Sequence, residues 1–130
     1  KAVSKGGLAS LSPADRARLP FQIMQSANPR YRQYVLDAVS GHGPLTPDQL
    51  KNRLEAMAVW NETMGEKVAN IAAEGRTVLV IAGQGHVLYK AGILESAARR
   101  GATQVKALLP MAAAPQPDEL AYADWFRITP

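Results

Sequence analysis

The side chain best suited to chemistry in this sequence is His86, which ends the glycine-rich bend Gly83-Gln84-Gly85-His86. Imidazole can bind a metal, hydrogen-bond a carboxylate or transfer a proton near neutral pH. The two glycines allow the backbone to turn sharply and to approach a ligand closely. A purely structural turn, in which His86 caps a neighbouring backbone group, explains the pattern equally well. The bend is neither a dinucleotide fingerprint, since the third glycine is absent, nor a Walker loop.

Three further side chains are candidates for the same site. Tyr89 can bring a phenolic oxygen to His86, although a tyrosine packed on the rim of a sheet is the plainer interpretation. Asn61 and Glu62 interrupt an otherwise apolar helix. A buried amide needs partners, so Asn61 either faces a polar site or tethers nearby backbone. Glu62 is either a base or ligand, or a solvated charge beside the apolar stripe.

Composition excludes several kinds of site. Without cysteine and with two histidines, the sequence cannot build a thiolate or a closed histidine-rich metal site. No Ser-His-Asp order or pair of carboxylates is convincing. Trp60 and Met64, four residues apart, are predicted to be core, and His42, between two glycines, is predicted to be a surface residue.

The charge pattern does not predict a nucleic-acid partner. Fifteen Lys and Arg against eleven Asp and Glu give a formal charge of +4, but the basic residues are scattered. Their densest cluster, Arg99 and Arg100, is predicted to be a solvated helix end that complements the helix dipole rather than an anion-binding patch. No apolar run reaches the roughly 18 residues of a membrane span.

Helix start signals place most of these residues. Ser12-Pro13 predicts a short helix that stops before Pro20, and Asn28-Pro29 predicts another that Gly41 ends. The clearest start is Thr46-Pro47, with Gln49 positioned to complete a capping box. The helix that follows is predicted to run to about Ala73 and to be closed by Gly75.

After Gly75 the hydrophobic pattern changes to that of strands. The apolar run 78–82 predicts a central strand covered on both faces, and the segments 105–109 and 125–129 predict two further strands. A helix is predicted over 91–100. The first two strands then form a parallel, right-handed β–α–β unit, and loop 83–89 lies where ligands bind in such sheets. The predicted class is α/β, with a partly parallel sheet flanked by helices.

Three stretches, AVWNETMGEKVANI, VLVIAGQGHVLYKAGILESAARRG and YADWFRITP, together resemble the ChaN-like haem-binding family. That family is similar in fold to the Tiki and erythromycin-esterase proteins. The combination of the W-[DN]-E-T-M helix motif with the IAG-x-GH strand-turn motif carries the resemblance. The opening stretch GGLASLSPADRARLP also resembles the family, so the resemblance covers nearly the whole sequence.

The resemblance implies a particular domain organisation. Family members begin with a strand that carries a Gly-Glu-x-His type motif, which this sequence lacks. Residues 1–130 are therefore expected to be the C-terminal portion of a single larger α/β domain, helical over 1–75, with the β–α–β unit and the final strand over 76–130. Such a chain is expected to pair with the missing N-terminal half or, as a homodimer, with a second copy.

The resemblance also implies haem or a similar porphyrin as the ligand, in bacterial haem or iron uptake or handling, without catalysis. The implied cofactor-binding residues are His86, Tyr89, Gly83, Gly85, Asn61 and Glu62. His86 and Tyr89 are the candidate iron ligands, and His86 can instead bond a haem propionate. A periplasmic or membrane-anchored lipoprotein is the implied setting, with the anchor outside this sequence.

Two alternatives remain from sequence. One is a metal-dependent hydrolase of the Tiki and erythromycin-esterase type, in which His86 joins a His and a Glu from the missing half around a divalent metal. The other is a scaffold or interaction domain with a vacant pocket, because a shared fold alone does not decide function.

Overall fold

A computed structural model describes residues 1–41 and 43–129, and it has the predicted mixed α/β fold. The α-helices and strands in these residues are α1 (Ala2–Gly6), α2 (Pro13–Arg16), α3 (Pro29–Ser40), α4 (Pro47–Ala73), α5 (Ile93–Arg99), β1 (Leu108–Met111) and β2 (Trp125–Ile128). Short 3₁₀ turns cover Leu8–Ser10, Gln84–His86, Leu88–Lys90 and Glu119–Ala121. None of the helices in this part of the chain combines the length and apolarity needed to cross a membrane.

Helix α4 is the central element, and its predicted start and end are confirmed. The Thr46 hydroxyl accepts from the backbone N–H of Gln49 (3.2 Å), and the Gln49 side chain accepts from the N–H of Thr46 (3.0 Å). This capping box satisfies two backbone donors that the first turn leaves unpaired. Gly75, with φ at 77°, follows the last turn. Helix α4 contacts α1, α3 and α5, so it positions the rest of the fold.

The core lies between α3, α4 and the segment that leads into α5. Helix α3 begins at the predicted Asn28 cap, whose side chain accepts from two backbone N–H groups, and it buries Tyr31 and Val35. These side chains belong to one cluster with Leu88, Ala91, Leu94, Ala107, Leu109 and Ala123.

The sheet differs from the predicted β–α–β unit. Strand β1 pairs in parallel with β2, with Leu108 opposite Trp125 and Met111 opposite Ile128. The predicted last strand is therefore confirmed, whereas the strand predicted over 105–109 begins three residues later.

The prediction of a central strand over 78–82 is wrong in the part of the chain that the structure describes. The segment has no regular secondary structure and pairs with no described strand. Leu79 is 86% exposed and Ile81 is 92% exposed. A central strand needs neighbours on both edges and cover on both faces. The described residues provide neither, since β1 pairs with β2 instead.

Candidate functional site

The loop between α4 and α5 presents His86 through two consecutive 3₁₀ turns. The backbone N–H of His86 donates to the carbonyl of Gly83 (2.9 Å), and buried Leu88 anchors the loop in the core. Gly92 closes the loop with φ at 59°. A Cβ at Gly92 would lie 2.3 Å from the carbonyl oxygen of His86, so only glycine fits there.

Three side chains from three elements form what we call the Tyr31–Asn61–His86 network. The Tyr31 hydroxyl donates to the Gly85 carbonyl (2.8 Å), and the Asn61 amide nitrogen donates to the Tyr31 oxygen (2.8 Å). The remaining bond joins Asn61 Oδ1 to His86 Nδ1 (2.7 Å). Asn61 is therefore a buried amide with both ends paired, as the sequence required of it.

The donor and the acceptor of each hydrogen bond in the network can be assigned from the Gly85 carbonyl. The Gly85 carbonyl can only accept, so the Tyr31 hydroxyl donates to it and accepts from Asn61. The Asn61 oxygen then faces His86 and can only accept, so Nδ1 of His86 carries the proton. In the neutral ring, Nε2 therefore keeps a free lone pair. Burial lowers the pKa of His86, which favours that neutral ring near pH 7.

His86 Nε2 reaches solvent beside an exposed aromatic ring. It makes no hydrogen bond to a described residue, and no described buried side-chain nitrogen or oxygen lacks a partner. The rings of Trp60 and His86 lie 5.7 Å apart between centroids, tilted by 37°. The prediction that Trp60 is core is wrong, since it is 60% exposed. Successive residues turn by about 100°, which places Trp60 opposite the face of α4 that buries Ala58, Glu62, Gly65 and Ala69.

Glu62 is buried, but the structure turns it toward α5 and away from His86. Its carboxylate accepts from Ser96 Oγ (3.0 Å), from Arg100 Nη1 (2.5 Å) and from Arg99. The prediction that Arg99 and Arg100 form a solvated helix end is therefore incomplete. They neutralise a carboxylate that is 1% exposed, because a buried charge requires a partner.

The remaining predicted residues divide between two places. Gly83 and Gly85 lie in the His86 loop and bond through their carbonyls to His86 and Tyr31. Tyr89 has a left-handed backbone (φ 58°), and its ring packs edge-on against Tyr122, with centroids 4.9 Å apart. Tyr89 lines a surface groove together with Tyr34 and Asp37, and Trp60 is not part of that groove. His42 lies outside the described residues.

The sequence analysis missed Tyr31 as part of the site, because helical periodicity counts a tyrosine as apolar. Its burial raises the pKa of the Tyr31 phenol, which keeps the hydroxyl protonated as a donor. The sequence did contain one signal for this contact. Tyr31 places a hydroxyl group on the apolar stripe of one predicted helix, and Asn61 places an amide on the apolar stripe of another. In residues 1–41 and 43–129, no three His, Cys, Asp or Glu side chains lie close enough to hold a metal ion.

Comparison with known proteins identifies one family. A family model described as "Haem-binding uptake, Tiki superfamily, ChaN" matches residues 1–96, which include α1 to α4 and the His86 loop. No curated protein and no solved structure matches the chain. The match covers well over half of the sequence, so the chain belongs to the ChaN haem-binding uptake family of the Tiki superfamily.

Proposed function

We propose that the chain binds haem, with Nε2 of His86 as a ligand to the iron, as part of bacterial haem or iron uptake or handling. The observation that carries the proposal is the directed Tyr31–Asn61–His86 network. It supports an imidazole with its lone pair on the solvent-facing nitrogen. Hydrogen bonds that fix the tautomer of a histidine ligand from behind are characteristic of metal sites.

The surroundings of His86 fit the remaining needs of a porphyrin. Trp60 offers an exposed aromatic face next to the imidazole, and the apolar segment 78–82 leads directly into the loop. Bound haem would supply an iron that can accept a nitrogen ligand from the protein. His86 would bind it, Asn61 and Tyr31 would hold the imidazole in place, and the two glycines would shape the backbone beside it.

Tyr89 is the second candidate ligand, since a phenolate suits ferric iron. Its ring packs against Tyr122, and it lines a groove with Tyr34 and Asp37, which favours His86 over it as the ligand. Glu62 we assign to helix packing, because Ser96, Arg99 and Arg100 use its oxygens. The metal-dependent hydrolase would need a His and a Glu from outside this sequence, whereas the exposed Trp60 ring beside His86 suits a porphyrin.

Hemin titration of the full 130-residue chain near pH 7.5 tests the proposal. We expect a saturable shift of the Soret band. His86→Ala should weaken binding at least about tenfold, or about 1.4 kcal/mol, because it removes the nitrogen ligand while leaving Trp60 in place.

His42→Ala is the matched control, since it removes the chain's other imidazole, and it should bind hemin like the unaltered chain. Absence of a Soret change at micromolar hemin would overturn the proposed function. Equal spectra for His86→Ala and His42→Ala, with loss of the shift in Tyr89→Phe, would transfer the ligand role to Tyr89.

A further inference from the structure

A second pocket, separate from the His86 imidazole, lies between α3 and α4. Its volume is about 110 Å³. The walls are mostly apolar and are contributed by Met24, Val35, Leu36, Leu54, Met57 and Ala58. This volume is of the same order as the roughly 150 Å³ of an apolar cavity that binds benzene.

Two polar groups of the network also line this pocket, and one of them has unused capacity. The Asn61 amide nitrogen carries two hydrogens, and it donates to one described acceptor, Tyr31. The second hydrogen is available to an acceptor in the pocket. A small apolar molecule with an oxygen atom at one end would match this lining.

Arg32 is the charged side chain that lines the pocket. Its Nη1 donates to the carbonyls of Ser26 (3.0 Å) and Ala27 (2.8 Å), which fixes the guanidinium beside the pocket. Nε and Nη2 make no hydrogen bond to a described residue. These two donors suit a carboxylate, which guanidinium groups bind in a bidentate fashion. The carboxylate of Glu95 contacts the same two residues, Ser26 and Ala27, and accepts hydrogen bonds from both of them.

We infer that this pocket binds a small monocarboxylate of about six to eight non-hydrogen atoms in all, such as a short-chain aliphatic acid. The apolar part would lie against Leu54 and Ala58, and the carboxylate would bond to Arg32, with Asn61 as a further donor. This site goes beyond the proposed haem function and does not depend on it.

Titration of the haem-free, nitrogen-15-labelled full chain with hexanoate and hexan-1-ol tests the inference. Each probe has six carbon atoms, and the two differ in charge. We expect hexanoate to bind about twofold to fivefold more tightly, as for an exposed charge pair. Arg32→Gln should remove that difference. Arg30→Gln, a neighbouring exposed arginine that does not line this pocket, should retain it.

Filling the pocket gives a second test. Ala58→Leu should weaken hexanoate binding at least about tenfold, because its side chain takes up the space. Ala73→Leu makes the same change at an exposed position of α4 and should have no effect. If Ala58→Leu does not fold, Leu36→Trp at the partly exposed wall replaces it.

Three results would overturn the inference: equal binding of the two probes, unchanged hexanoate binding in Arg32→Gln, or unchanged binding in a folded pocket-filling variant. His86→Ala should bind hexanoate normally. Failure of this site and failure of haem binding are therefore distinguishable.

Discussion

At the scale of single residues, Asn61 holds the imidazole of His86 through an uncharged oxygen 2.7 Å from Nδ1. A carboxylate at this position would also fix the tautomer, but its negative charge would raise the pKa of the ring. The amide fixes the tautomer without that charge. Asn61 therefore combines a defined tautomer with an imidazole that stays neutral, which is the form that binds a metal.

The tautomer can be observed directly. Nitrogen-15 spectra of the histidine rings near pH 7.5 should show His86 protonated at Nδ1 and unprotonated at Nε2. Asn61→Leu should shift the ring toward protonation at Nε2, because it removes the acceptor of the Nδ1 proton. His42, the other histidine of the sequence, serves as the internal reference. A wild-type His86 protonated at Nε2 would contradict the proposed direction of the network.

Sequence reasoning reached two of the three members of the network. The glycine bend singled out His86, and a polar residue on an apolar stripe singled out Asn61. Tyr31 could not be found in this way, since it lies 30 positions from Asn61 and its ring suits a buried helix face. Only packing of α3 against α4 brings its hydroxyl between Asn61 and Gly85.

At the scale of elements, α4 and α5 are joined by a close contact and by a buried ion cluster. A Cβ at Gly65 would lie 2.3 Å from Ser96 Oγ, so the helices approach more closely than any other residue would allow. The cluster of Glu62, Arg99 and Arg100 forms beside this contact. Since α5 directly follows the His86 loop, this contact also supports the site.

Breaking the cluster should be costly. Glu62→Gln removes the counterion of Arg100 and leaves Arg99 with Glu95 alone, 3.7 Å away. Loss of one partner of a buried pair costs about 3 to 5 kcal/mol. Because Arg99 and Arg100 are 32% and 20% exposed, we expect about 3 kcal/mol, the lower end. Denaturant unfolding followed by circular dichroism measures the change.

Glu74→Gln is the matched control, because Glu74 pairs with Arg76 while both side chains are 60% exposed. A surface pair contributes about 0 to 1 kcal/mol, so this variant should unfold close to the wild type. Equal losses in the two variants would contradict a structural role for Glu62.

Elements that are fixed by interactions between residues close in sequence were predicted correctly, and elements that need a distant partner were not. The helix starts at Ser12, Asn28 and Thr46 were predicted because each cap is made within three residues. The segment 78–82 has strand composition, but a strand requires a partner, and hydrophobic pattern alone does not identify one. The prediction that Trp60 is buried was wrong for a related reason. Helical spacing identifies residues on one face of a helix but does not say whether that face packs against the core.

At the scale of the whole molecule, the chain exposes a group of large apolar side chains. Leu79, Val80 and Ile81 are consecutive, and Trp60 and Trp125 are more than half exposed. Exposed apolar patches of this kind mark interaction sites or aggregation liabilities. The pairing with a second copy or with a missing half that the resemblance implies stays a prediction.

We expect the 130-residue chain to self-associate through segment 79–81. Replacing the largely exposed Leu79 and Ile81 with lysine should increase the monomer fraction in sedimentation experiments and change stability by no more than about 0.5 kcal/mol. Phe21→Lys, at a side chain 93% exposed outside the segment, is the control and should leave association unchanged. Unfolding of the double variant, with a monomeric wild type, would contradict this expectation.

The span of the Tyr31–Asn61–His86 network in the sequence has a consequence for the order of folding. Helix α4 has its own local capping box and can form early, whereas the network closes loops of 30 and 25 positions. The imidazole is therefore presented late, after α3 and α4 have docked. In the native protein we expect the two bonds that reach Gly85 and His86 in the loop to open more readily than the buried Tyr31–Asn61 bond, which joins two helices. The proposed ligand nitrogen is therefore in position only when α3 and α4 have docked.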